Sequence, residues 1–103
     1  MKHVVQLLLP LYDNAGQPLP HALFDAVRRE LVGRFGGLTA YTRAPAKGLW
    51  QQDGGATVRD DIVVYEVMAE TLDAAWWRGY REALERRFAQ QSLVVRATPV
   101  VVL

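Results

Sequence analysis

The chain has 103 residues, 50% of them apolar and 22% charged, which fits one ordinary globular domain spanning residues 1–103. It has no cysteine, which removes disulfides, thiolate nucleophiles, iron–sulfur clusters and thiolate zinc sites. A formal net charge of +1 argues against broad electrostatic capture of nucleic acid or anionic membrane, and no apolar run is long enough to span a bilayer.

The first expected strand is HVVQLLLPLY, His3 to Tyr12, nearly free of charge as a central strand should be. Pro10 interrupts its apolar run and no small-residue cleavage site follows, so the segment is read as a strand and the location as cytoplasmic. DNAGQPLP is a loop by its chemistry. The first helix follows in PHALFDAVRRELVGRF, with Pro20 in the first turn. Phe24, Val27, Leu31 and Phe35 fall on one stripe, and Gly36 is a left-handed stop.

The second strand is expected over Leu38–Arg43. Beyond it, Asp53-Gly54 carries a hairpin signal, so the second and third strands are joined by an extended hairpin arm. The third strand, Asp61–Ala69, is apolar on both faces. The second helix has Thr71 as N-cap and Asp73 in its first turn. Leu72, Ala75, Trp76, Gly79, Tyr80, Ala83, Leu84 and Phe88 form its expected core stripe. Arg78–Glu82, Arg81–Glu85 and Glu82–Arg86 are its expected ion pairs. Ser92–Leu103 closes the chain as a strand, and Pro99 places it at an edge.

The order β-α-β-β-α-β is the split βαβ pattern, an α+β ferredoxin-like fold. Right-handed crossovers put both helices on one face of a four-stranded antiparallel sheet of order 4-1-3-2. Alternation then assigns the faces. Val5, Leu7, Leu9, Val63, Tyr65 and Val67 look toward the helices. The other face combines an apolar floor (Val4, Leu8, Ile62, Val64, Met68 and Val94) with polar groups at Gln6, Thr39, Tyr41, Arg43, Glu66, Arg96 and Thr98. So much apolar surface is expected to be covered.

In element order and length the chain resembles the dimeric α+β-barrel superfamily. The segment Gly37-Leu38-Thr39 through Gly48-Leu49-Trp50 to Gly55 also resembles small uncharacterised bacterial proteins with a G-x-T…G-x-W…G pattern, which brings no known activity. The first resemblance implies a homodimer packed through its open sheet faces around a cavity. Superfamily members include cofactor-free monooxygenases, isomerases, haem enzymes and ligand-sensing domains.

Glu66 is the candidate catalytic residue, a carboxylate placed mid-strand among apolar neighbours. It reads either as a pocket acid or base beside Gln6, or as a structural ion pair with Arg96 or Arg43. Gln6, Thr39, Tyr41, Arg43 and Arg96 are candidate ligand-binding residues for a small anionic or aromatic molecule, with Trp50 on the hairpin arm as a closing side chain. The same polar groups suit the rim of a dimer interface. Trp76 is expected in the core, and Trp77, about 100° away around the helix, is expected either to cap the core edge or, as the preferred use, to make an oligomer contact.

His3 and His21 are the two histidines and show no metal spacing, so neither a metal nor a cofactor is expected. An RNP1-type run is missing from DIVVYEVMA, which argues against nucleic acid. Three functions remain open. One is a homodimer that binds a small ligand or merely associates through the open face. Another is a cofactor-independent isomerase or monooxygenase with Glu66 as base. The last is a protein-interaction module.

Overall fold

The structure is a computed structural model and describes residues 1–43 and 61–103, with Arg43 described through its backbone. The elements run β1 (His3–Pro10), α1 (His21–Phe35), β2 (Thr39–Arg43), β3 (Ile62–Ala69), α2 (Ala74–Arg87) and β4 (Val94–Pro99). The sheet has the order β2-β3-β1-β4, with every neighbouring pair antiparallel, as the split βαβ pattern requires. Both central strands are the apolar ones, and Pro99 ends an edge strand whose outer side needs no ladder donor. The expected Asp53-Gly54 turn and the arm around it lie outside the described residues.

The helix-side assignments hold. Val5, Leu7, Leu9, Val63, Tyr65 and Val67 are buried together with Phe24, Val27 and Leu31 of α1 and Trp77, Leu84 and Phe88 from α2 and its C-cap, so both helices share one core on one sheet face. The buried Tyr65 hydroxyl accepts a hydrogen bond from Arg28 at 2.8 Å, and Arg28 also pairs with Asp25 one turn earlier. A buried hydroxyl left unpaired would cost about 1–3 kcal/mol, which this arginine avoids.

Local chemistry sets the helix ends. Pro20 precedes α1 in an extended conformation, and Gly36 closes it at φ 82°, donating its N–H to Val32 O at 2.8 Å. A left-handed residue at this place favours glycine, because any Cβ would strain the turn. In the loop after β1, the Asp13 side chain accepts from the Ala15 and Gln17 N–H groups, both at 2.9 Å.

The second helix departs from its expected start and phase. Asp73, not Thr71, is the N-cap, and its carboxylate accepts from the Trp76 N–H at 3.1 Å. Trp77 enters the core at 5% exposure, stacked on Phe35 at 5.2 Å, while Trp76 is the half-buried one. Of its two expected uses Trp77 takes the one at the core: most of its ring is used within the chain, which leaves little of it for a partner. Trp76 stacks instead on Tyr80 at 4.9 Å, under the Arg34 guanidinium at 4.1 Å.

Of the expected helical ion pairs, Arg81–Glu85 forms at 3.7 Å. A stronger clasp joins the two helices. Glu30 of α1 accepts from Tyr80 at 2.8 Å and from Arg87 at 2.8 and 2.9 Å. Burial by itself would raise the Glu30 carboxyl, but the hydrogen bonds from Arg87 and Tyr80 and the Arg87 charge outweigh it and hold it below the usual range. Burial, with the Glu30 hydrogen bond behind it, pushes the Tyr80 phenol above its ordinary value.

Candidate site on the open sheet face

Cross-strand register arranges the open face in rows perpendicular to the strands. One row is polar: Arg96, Gln6, Glu66 and Thr39 from β4, β1, β3 and β2 in turn. The next row is Val94, Leu8, Val64 and Tyr41, and on the other side lie Thr98, Val4 and Met68. A polar line thus crosses the middle of the sheet between two mostly apolar ones. The apolar rows are unevenly covered. Val64 is 2% exposed, whereas Tyr41, Met68 and Val94 keep 42%, 44% and 52% of their surface.

Gln6 is the hub of the polar row. Arg96 Nε, which can only donate, is 2.9 Å from the Gln6 amide oxygen. That contact fixes the amide orientation, so the NH2 group faces the other way. It donates to Glu66 Oε1 at 2.8 Å and to the Tyr41 hydroxyl at 3.0 Å. One neutral amide therefore links a cation on the edge strand to a carboxylate two strands away, with its dipole aligned to both charges. Tyr41 accepts in this arrangement, which leaves its own proton available as a donor.

The arrangement sharpens the reading of Glu66. Within the described residues it forms no ion pair with Arg96, because β1 lies between their strands and Gln6 occupies the gap. Its carboxylate is half-buried, hydrogen-bonded by an amide, and among the described residues has no neutralising guanidinium in contact. Such a group can accept from a ligand hydroxyl or amine, or take a proton from one. Beside it, a depression of about 340 Å³ opens where α1 stops and β2 begins, bordered by Val4, Gly37, Thr39, Glu66 and Met68.

The structure brings Gln6, Tyr41, Glu66 and Arg96 into one hydrogen-bonded set, with Thr39 opposite Glu66 in register. Arg43 pairs with Ile62 through its backbone, and its side chain lies outside the described residues, as does Trp50. Trp77 belongs to the core on the opposite side of the sheet. Sequence reasoning placed Gln6 in the group but missed its role as hub, since only the register shows that it separates Glu66 from Arg96. Among the described residues there is no cluster of metal-ligating side chains, and no helix is long and apolar enough to cross a membrane.

No protein-family model and no curated protein matches the sequence. Among solved structures, the chain is similar to a phage SAM lyase in complex with S-methyl-5'-thioadenosine, with a TM-score of 0.55 and 16% identity over 94% of this chain and 80% of that one. At that identity the likeness is one of fold.

Proposed function

We propose that the protein is a homodimer that binds a small, partly aromatic ligand on its open sheet face, with the hydrogen-bonded set Arg96, Gln6, Glu66 and Tyr41 as the polar contacts. The hydrogen-bonded row between exposed apolar rows carries this reading. Apolar flanks supply binding area, and the few ordered polar groups fix orientation, which is the usual division of labour in a small-molecule site. A second copy is the natural cover for Met68 and Val94, both exposed in the single chain. The phage structure of similar fold holds a nucleoside thioether, which makes S-methyl-5'-thioadenosine the first probe to try.

Light scattering at micromolar concentration should give twice the chain mass, and a monomer there would remove the dimer. Calorimetry with S-methyl-5'-thioadenosine and with adenosine should give saturable heat that Glu66→Gln weakens about tenfold. Undiminished binding by that variant would place the ligand elsewhere.

A second reading is enzymatic. Glu66 acts as a base in a cofactor-independent reaction of the isomerase or monooxygenase kind, or of the lyase kind named for the phage structure. Its support is the accessible carboxylate beside the 340 Å³ depression. Incubation with S-adenosylmethionine and chromatography for S-methyl-5'-thioadenosine tests the lyase form, and Glu66→Gln should abolish any product while leaving the circular dichroism spectrum unchanged. The interaction-module reading gains nothing from Trp77, which is spent on the core, and the arm it also relied on lies outside the described residues.

A further inference from the structure

A second polar constellation lies behind the open face, where α2 passes the outer edge of β4. A groove of about 210 Å³ runs there, with Val5, Trp77 and Val95 among its apolar lining residues and Arg78, Arg81 and Arg96 among its borders; among the described residues no carboxylate lines it. Arg81 is the unusual member. It stands on the buried stripe of the helix, four residues after Trp77 and three before Leu84, where an apolar side chain would be expected. Its stem can pack there, but its Nε is buried without a hydrogen-bond partner among the described residues. Glu85 Oε2 is 3.7 Å away, too far for a hydrogen bond, and instead accepts from the Leu93 N–H at 2.9 Å. A second carboxylate oxygen, from Glu82, is 3.9 Å from an Arg81 terminal nitrogen. Arg78 has no hydrogen bond or ion pair among the described residues, and Arg96 uses its Nε on Gln6.

We infer that this groove is a binding site for a small organic anion, an oxyanion head of carboxylate or phosphate type on a compact apolar body. A buried guanidinium N–H without an acceptor is costly, and an oxyanion that reaches Nε through a small shift of the partly exposed Arg81 side chain removes that cost. Arg78 adds positive charge that no groove-lining acid among the described residues offsets, Arg96 borders the groove while its Nε is held on Gln6 at the open face, and the apolar floor takes the body of the ligand. The site is distinct from the open face, though Arg96 borders both, so its test does not depend on the function proposed above.

The test is a titration of the intact chain, followed by amide and indole nuclear magnetic resonance, with benzoate, phenyl phosphate and uncharged benzyl alcohol as probes. Benzoate or phenyl phosphate should shift the Trp77 and Ala97 signals saturably, the stronger of the two showing which head group the site prefers. Benzyl alcohol should not. Arg81→Gln should weaken the anion about tenfold. Arg78→Gln, at an exposed and unpaired position, should weaken it by several-fold and reads the site even where Arg81→Gln fails to fold. Absence of saturable shifts with both anions would overturn the proposal. So would equal shifts with benzyl alcohol, or anion shifts centred on Gln6 and Tyr41 instead of Trp77 and Ala97.

Discussion

The two faces of the sheet come from the same strands, one residue out of phase, and they are used differently. Toward the helices, Leu7, Leu9, Val63, Tyr65 and Val67 are buried, and the one hydroxyl among them is met by Arg28. On the other side Gln6 ties Arg96, Glu66 and Tyr41 into one hydrogen-bonded set, while Tyr41, Met68 and Val94 remain exposed. Burial on the helix face is finished within one chain, so its residues answer to stability. The open face has ordered its central polar groups but left apolar side chains exposed, the condition expected of a surface that meets something else.

Neighbouring leucines on β1 break or sharpen that contrast most directly. Leu7→Ala, in the helix-side core, should cost about 2–5 kcal/mol by urea denaturation. Leu8→Ala, half-buried on the open face, should cost about 1 kcal/mol at low protein concentration and more at high concentration, where a dimer would bury it. Equal costs at all concentrations would erase the distinction between the faces.

Met68→Lys probes the proposed cover. A lysine there is harmless in a single chain, since the position is exposed, but would be buried against a second copy. Light scattering should show association weakened by roughly a hundredfold or more. A variant that dimerises as well as the parent would mean the chains meet elsewhere.

Gln6→Leu keeps the size of the hub and removes its three hydrogen bonds. With the row partly solvated, the loss should be about 1 kcal/mol in stability. Ligand affinity should fall more sharply, because Glu66, Tyr41 and Arg96 lose their common support. A stability loss with unchanged affinity would make the row structural.

How much of this was readable beforehand differs by element. Strand alternation is a strict period of two, so Val5, Leu7 and Leu9 could be assigned from the sequence, and the strand order followed from handed connections. The phase of α2 could not. Apolar or small residues at Leu72, Ala75, Trp76, Gly79, Tyr80 and Ala83 make a stripe too broad to choose between Trp76 and Trp77, and the stem of Arg81 occupies a core-facing position that reads as polar. The members of the polar row were legible for the same reason as the strands. Their wiring was not, because it depends on which residue stands opposite which across three strands.

The helix clasp supplies a control that shares no residue with either candidate site. Glu30 holds its carboxyl below the usual range, so in mildly acidic solution the unfolded chain takes up a proton that the folded chain does not. The clasp therefore contributes fully above the ordinary carboxylate value and is lost as pH falls through the lowered folded value. Tyr80 works in the opposite sense: its raised value gives a contribution present below the ordinary phenol range and lost as pH rises above it. Glu30 is partly exposed, so solvent screening keeps the effect of Glu30→Gln to about 1 kcal/mol or less at neutral pH. Urea denaturation across the acid range should show a shallower decline for the variant than for the parent, the two curves converging below the folded carboxylate value. Parallel curves would place the acid sensitivity elsewhere. Ligand binding on the open face and anion binding behind β4 should both survive this substitution, since neither site includes the clasp.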